Sequence, residues 1–265
     1  MIRMSTYLWI DLGALIIPLL FSFHPRLRFH RTWSALWPAL LAMITLFVPW
    51  DAAFTRAGIW GFGQAHINGP YLLGLPVEEL LFFICIPYAC VFTFHCLRRL
   101  GLKDHLGPRS AQITWILGAL ALMMAMLNPH RAYTASAFGG LGLWLLLLRL
   151  WTRPRWLGHA YLSWIVLLVP FFIVNGLLTR GRPEGPVVWY NDAETLGIRL
   201  GSIPVEDVAY GLLMFLVVLT VYETLLAWQG RKRIGRSDTF AVTHGPTSHP
   251  GPGLDQAQVH GRQSA

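Results

Sequence analysis

Two short stretches place adjacent carboxylates where long apolar runs begin. Gly74–Phe83 reads GLPVEELLFF and carries Glu78 and Glu79, and Gly201–Leu212 reads GSIPVEDVAYGL and carries Glu206 and Asp207. Ionised groups at membrane depth are costly, and where they occur they mark functional sites. A carboxylic acid beside another carboxyl in a water-poor pocket can hold its proton and act as a general acid. The side chains around these pairs are apolar and aromatic: Phe82, Phe83, Tyr88, Tyr210 and Phe215. Such surroundings suit protonation of a carbon–carbon double bond, with aromatic faces stabilising the resulting carbocation. That chemistry requires no redox cofactor.

A plainer explanation covers any one of these acids. Pro76 and Pro204 suit the first position of a helix, and a glutamate two residues later is favoured by the helix dipole. The pairing argues for more, because the dipole needs one acid and not two. Loops of 25 and 24 residues (51–75 and 180–203) precede the two runs, with Trp60, Phe62, Tyr71, Trp189 and Tyr190 among them, and such loops can fold back as a lid. Asp51, expected just after the second apolar segment, and Asn175, near the end of the sixth, are weaker candidates for the same site. Asp11 inside the first segment is read as either a buried partner for an arginine or part of a frayed helix start, and Glu223 near the cytoplasmic end of the last as an interfacial residue.

The elements that position these residues follow from composition. The chain has 265 residues, 54% of them hydrophobic and 13% charged. Soluble domains carry about 25% charged residues, so this is the composition of a membrane protein. Seven apolar segments of spanning length are expected at 6–23, 33–50, 76–96, 111–128, 133–150, 159–179 and 204–228. Basic residues concentrate in alternate loops: Arg26, Arg28 and Arg31; Arg98, Arg99, Lys103 and Arg109; Arg149, Arg153 and Arg155; and Arg231, Lys232, Arg233 and Arg236. By the positive-inside rule the N-terminus is outside and the C-terminus cytoplasmic. The net charge of +8 is thereby topology and not a nucleic-acid signature. The first segment lacks a basic leader and a small-residue cleavage site and is read as a retained helix. Cys85, Cys90 and Cys96 fit no metal or redox spacing and are read as packing residues. Residues 229–265, rich in Gly, Ser, Pro and His, are expected to form a disordered cytoplasmic tail.

An internal repeat organises the segments. Val48-Pro49-Trp50 is echoed by Val169-Pro170-Phe171, Thr55-Arg56 by Thr179-Arg180, Trp60 by Trp189, and Leu75-Pro76-Val77-Glu78-Glu79 by Ile203-Pro204-Val205-Glu206-Asp207. The expected architecture is an all-α integral membrane protein of seven transmembrane helices. It is built from two parallel three-helix repeats, 1–100 and 131–228, separated by one linking helix within 101–130. Both acidic pairs then lie at the same, outer, end.

The combination of SFHPRLRF (22–29), PWDAAFTRAGIW (49–60), LGLPVEELLFF (73–83), NGLLTR (175–180), VVWYN (187–191) and LGIRLGSIPVEDVAYG (196–211) resembles the heterodimeric-type lycopene cyclases in their fused, two-unit form. The resemblance covers residues 6–228 and implies a membrane-bound isomerase of carotenoid biosynthesis that closes β-ionone rings on lycopene without cofactor or metal. It implies a protonated acid from Glu78, Glu79, Glu206 or Asp207 as catalyst and a carboxylate that removes the ring proton; Asp51, Trp60, Phe82, Asn175, Trp189 and Tyr210 are the residues expected to bind the substrate. Which carboxyl takes which role stays open. The implied partners are lycopene or a related linear carotenoid, membrane lipid and other enzymes of the pathway, with no nucleic acid, in the cytoplasmic (inner) membrane. One departure is that Asp207-Val208-Ala209-Tyr210 stands where the first unit has Glu79-Leu80-Leu81-Phe82, so the two units are not equivalent.

Other classes fit less well. A retinal-type Schiff base needs a lysine inside the membrane, and Lys103 and Lys232 both fall in loops. A prenyltransferase needs spaced aspartates for magnesium, and no DxxxD motif is present. A hydratase of the same carotenoid end group and a proton-coupled transporter remain as alternatives.

Overall fold

A computed structural model describes residues 5–243, with side chains as far as Lys232. Seven helices follow one another: α1 Thr6–Phe21, α2 Trp33–Arg56, α3 Val77–Arg99, α4 Ser110–Leu127, α5 Ala132–Leu147, α6 Leu157–Thr179 and α7 Val205–Thr243. The fold is all-α and membrane-type. Among the described residues, six helical stretches are long and apolar enough to cross a bilayer. The remaining one, α1, has 16 residues. It therefore spans about 24 Å at about 1.5 Å per residue, somewhat less than a hydrocarbon core of about 30 Å.

The helix ends are set by local chemistry. Ser5 caps α1, its hydroxyl accepting the Leu8 amide at 3.1 Å. Pro76 and Pro204 are the residues immediately before α3 and α7, where a missing N–H costs nothing. Helix α2 differs from expectation: it runs through Pro49 to Arg56, well past the expected end at 50. Asp51 consequently sits inside the helix rather than after it. A proline removes one ladder bond and leaves the rest, and in an apolar environment the remaining backbone groups still need helical partners. Helix α7 likewise outlasts the apolar run that predicts it. The packed body ends at Leu226 and the chain stays helical to Thr243, so the expected tail from 229 begins as helix. Its part beyond 243 lies outside the described residues.

The core sits around α7. Ala209 and every residue from Leu212 to Leu219 are buried, the signature of a helix apolar on all sides. Its aromatic side chains meet α2 (Phe47 and Trp50 against Tyr210), α3 (Phe94 against Phe215) and α6 (Trp164 against Phe215). Helix α1 packs along α3 and reaches α6, while α4 and α5 form a tight antiparallel hairpin.

The long loops are ordered by three short antiparallel strand pairs. Strand β1 (Trp60–Phe62) pairs with β4 (Val188–Tyr190), β2 (Tyr71–Leu72) with β3 (Leu75–Pro76), and β5 (Arg199–Leu200) with β6 (Ile203–Pro204). The last two are hairpins that feed α3 and α7, and both turn on glycines in the left-handed region, Gly74 at φ 86° and Gly201 at φ 70°. The first joins the two halves of the chain, in register Trp60 with Tyr190, Gly61 with Trp189 and Phe62 with Val188.

Candidate active site

Each hairpin hands the chain to its helix in the same way. The Val77 amide donates to the Pro70 carbonyl and the Val205 amide to the Ile198 carbonyl, both at 3.0 Å. The first acid of each pair then ties the preceding loop to the helix. Glu78 Oε1 accepts the backbone amides of Asn68 (2.9 Å) and Gly69 (3.0 Å). Glu206 Oε1 accepts the amide of Leu196 (2.6 Å) and the hydroxyl of Thr134 (2.6 Å). These two glutamates thus satisfy loop amides that would otherwise be buried without a partner.

Successive helical residues point about 100° apart, so the second acid of each pair faces elsewhere. Glu79 accepts a hydrogen bond from the Tyr7 hydroxyl on α1. Asp207 accepts two, from Tyr133 on α5 at 2.6 Å and from Tyr190 on β4 at 3.0 Å. Both acids line one cavity of about 900 Å³, and neither Glu78 nor Glu206 does. Asp51 joins them from α2. Its Oδ1 accepts Trp60 Nε1 at 2.5 Å and the Thr55 hydroxyl at 3.3 Å, and its Oδ2 is buried without a hydrogen-bond partner among the described residues. It lines the same cavity as Glu79, close enough for each carboxyl to feel the other's charge. Tyr210 lies among Asp51, Glu79 and Asp207 and lies close enough to feel the charge of all three.

Aromatic rings surround this cluster. Trp60 lies 4.9 Å from Tyr133 and 6.3 Å from both Tyr190 and Tyr210, and Tyr133 stacks on Tyr190 at 5.8 Å (ring centroids). Tyr7 contacts Phe62 at 6.4 Å and Phe82 at 6.3 Å. Strands β1 and β4 put Trp60, Phe62, Val188 and Tyr190 on the cavity, over the acids. Tyr190 lies outside the spanning helices. Burial first, then the negative charge of Asp207, raise its pKa well above the ordinary tyrosine value, so its hydroxyl remains a donor.

From the acids the cavity extends between α1, α3 and α6 towards Pro18, Thr93 and Met214. Its wall there is apolar, and Trp9, Ile17 and Ile173 on this flank are 61%, 62% and 59% exposed. The cavity therefore opens sideways, between α1 and α6, onto the apolar surface of the bundle.

Of the residues expected at a site, Glu79, Asp207, Asp51, Trp60, Phe82, Asn175 and Tyr210 are brought together on this cavity. Asn175 donates its side-chain amide to the Phe171 carbonyl at 3.0 Å. It stands four residues before Thr179, as Asp51 stands four before Thr55. Trp189 is placed differently. It lies between Val188 and Tyr190 on β4, and strand alternation turns it to the other face, across Gly61, where it is 42% exposed. Tyr7 and Tyr133 were not singled out by sequence, although each stands near the start of the first helix of its half, in STY (5–7) and RAY (131–133).

Comparison with known proteins gives a consistent result. The lycopene cyclase family profile matches the chain twice, over residues 4–97 and 130–225. Curated relatives are bifunctional lycopene cyclase/phytoene synthases of fungi. The protein of Neurospora crassa is 29% identical over 148 residues, 51% of this chain and 24% of the relative. That of Aspergillus niger is 25% identical over 191 residues, 65% of this chain and 31% of the relative. The chain thus spans about a quarter to a third of the length of these relatives. No solved structure matches it. With a profile match in each half, one carrying Glu78 and Glu79 and the other Glu206 and Asp207, the chain belongs to the lycopene cyclase family in its fused, two-unit form.

Proposed function

We propose that the chain is a lycopene β-cyclase, which closes the linear end groups of lycopene to β-ionone rings through the monocyclic γ-carotene. The observation that carries this reading is the cluster of Glu79, Asp51 and Asp207 at the covered end of an apolar, aromatic-lined cavity. Substrate and product of such a ring closure are isomers, so no electron carrier enters the balance. A carboxyl protonates the terminal double bond and leaves a tertiary cation. The π electrons of an internal double bond attack it and form the six-membered ring. A carboxylate then removes a proton beside the new cation, and the ring double bond forms. Trp60, Tyr133, Tyr190, Tyr210, Phe62 and Phe82 offer ring faces to the cation. Burial beneath β1 and β4 keeps water from trapping it as an alcohol.

Membrane lipid is the solvent from which so apolar a substrate arrives, and the sideways opening between α1 and α6 faces it. The arginine bias of the loops supports an N-terminus outside, a cytoplasmic C-terminus and residence in the cytoplasmic membrane. The relatives carry the names of a cyclase and a synthase on one chain, which supports contact with other enzymes of the same pathway.

The test is expression in a bacterium that accumulates lycopene, with chromatography of the pigments. β-Carotene accompanied by γ-carotene is the expected result. Unchanged lycopene, with the protein present in the membrane, overturns the reading, and hydroxylated end groups replace it with hydration.

A further inference from the structure

The two carboxyls that face the cavity differ in what holds them. We propose that they divide the reaction between them: Glu79, paired with Asp51, delivers the proton, and Asp207, held by Tyr133 and Tyr190, removes one from the ring. The proposal rests on the cyclase reading above and assigns its steps to residues.

The argument is one of donors and acceptors. Asp207 accepts a tyrosine hydroxyl on each oxygen, Tyr133 on Oδ1 and Tyr190 on Oδ2. Two O–H donors aimed at one carboxyl suit the acceptor-only, ionised form. The Tyr190 hydroxyl keeps its proton, and the Arg199 guanidinium, paired with Asp192, lies 6.0 Å from the Tyr190 ring. Asp207 is thereby a waiting acceptor.

Glu79 has the opposite neighbour. Across from it stands a second carboxyl, Asp51, whose Oδ1 is already taken by Trp60 and Thr55 and whose Oδ2 has no hydrogen-bond donor. Ionised carboxylates only accept, so a hydrogen bond between these two groups closes with one proton between them. That proton is the one the reaction consumes. Tyr7 donates to Glu79 and fixes the carboxyl against the cavity, which makes Tyr7 and Asp51 positioning residues and Glu79 catalytic.

The atoms balance. The Glu79 O–H bond breaks and a C–H bond forms at the terminal alkene carbon. The internal π pair becomes the new ring C–C bond, and the charge moves to the adjoining ring carbon. A neighbouring C–H bond breaks, its electron pair becomes the ring double bond, and the proton goes to Asp207. Glu79 ends a turnover ionised and Asp207 protonated, and exchange with solvent at the loop end restores both.

The experiment uses membranes containing the full chain, with lycopene supplied in deuterated buffer. Pigments are separated and their deuterium content read by mass spectrometry. Wild type is expected to give β rings carrying deuterium. Glu79→Gln is expected to lose conversion by roughly 10²–10⁴-fold and to leave recovered lycopene free of deuterium. Asp207→Asn still protonates, so its recovered lycopene gains deuterium by reversal, and any ring formed loses a different proton and is not β. The doubly substituted Tyr133→Phe, Tyr190→Phe chain keeps Asp207 but not its donors, and its ring-type distribution shifts the same way. Deuterium uptake by Glu79→Gln but not by Asp207→Asn reverses the roles and overturns the proposal. So does the absence of uptake in both variants when each reaches wild-type level in the membrane. If wild type itself leaves lycopene untouched, it is the cyclase reading that has failed.

Discussion

Trp60 and Tyr190 stand opposite each other across the β1–β4 pair, and each donates to a different carboxyl, Trp60 to Asp51 and Tyr190 to Asp207. The strand pair is therefore more than a cover, since it fixes the distance between the two acidic groups. Trp60→Phe keeps the ring and removes the donor. Losing a hydrogen bond to a buried carboxyl costs about 1–3 kcal/mol. Conversion of lycopene is expected to fall roughly tenfold while the amount of folded protein in the membrane is unchanged, as read by pigment analysis beside immunoblotting.

Adjacent glutamates should fail in different ways. Glu78→Gln and Glu206→Gln weaken the acceptor for loop amides, so each is expected to lower the unfolding temperature, at a cost of about 1–3 kcal/mol. Activity is then lost in proportion to folded protein. Glu79→Gln leaves the loop bonds intact and is expected to lose conversion by the same roughly 10²–10⁴-fold at wild-type thermal stability. Thermal unfolding in detergent, set against pigment yield, separates the two classes.

Gly69 donates to Glu78 and has no room for a side chain. A Cβ there would meet Val77 Cγ1 at 2.2 Å and Glu78 Oε2 at 2.7 Å. Gly69→Ala must push the loop off the helix start and is expected to destabilise by about 1–3 kcal/mol. Gly176→Ala on α6, where nothing lies within 4 Å of the added atom, is expected to be neutral and serves as the comparison.

Asp11 on α1 is fully buried, and neither carboxyl oxygen has a hydrogen-bond partner. An unpaired buried polar group is a standing cost of about 1–3 kcal/mol. Asp11→Leu, of similar volume, is expected to raise the unfolding temperature. A fall in the unfolding temperature would instead reveal that the carboxyl has a stabilising partner.

The sequence and the structure meet most closely where the information is local. Apolar run length placed all seven helices, and the Pro-Val-Glu-acid echo located both helix starts beside the site. What was not legible needed facing or distance. Nothing in Glu78-Glu79 says which of two residues about 100° apart looks into the cavity, because that depends on where α1 lies against α3. The pairing of Trp60 with Tyr190 joins positions more than a hundred residues apart, and no local pattern specifies it. Tyr7 and Tyr133 read as ordinary interfacial aromatics until their hydroxyls are seen on Glu79 and Asp207.

The sideways opening between α1 and α6 bears on the order of events. On the cyclase reading, the groove leads from lipid to the acids beneath the strand pair, and a long polyene taken up there goes in end first with its other half still in the bilayer. A molecule with two reactive ends must then withdraw, turn over in the bilayer and enter again to be treated twice. Between those visits the half-finished product competes with fresh substrate for the same groove. How much of it accumulates is set by partitioning in the membrane as much as by the chemistry at the carboxyls.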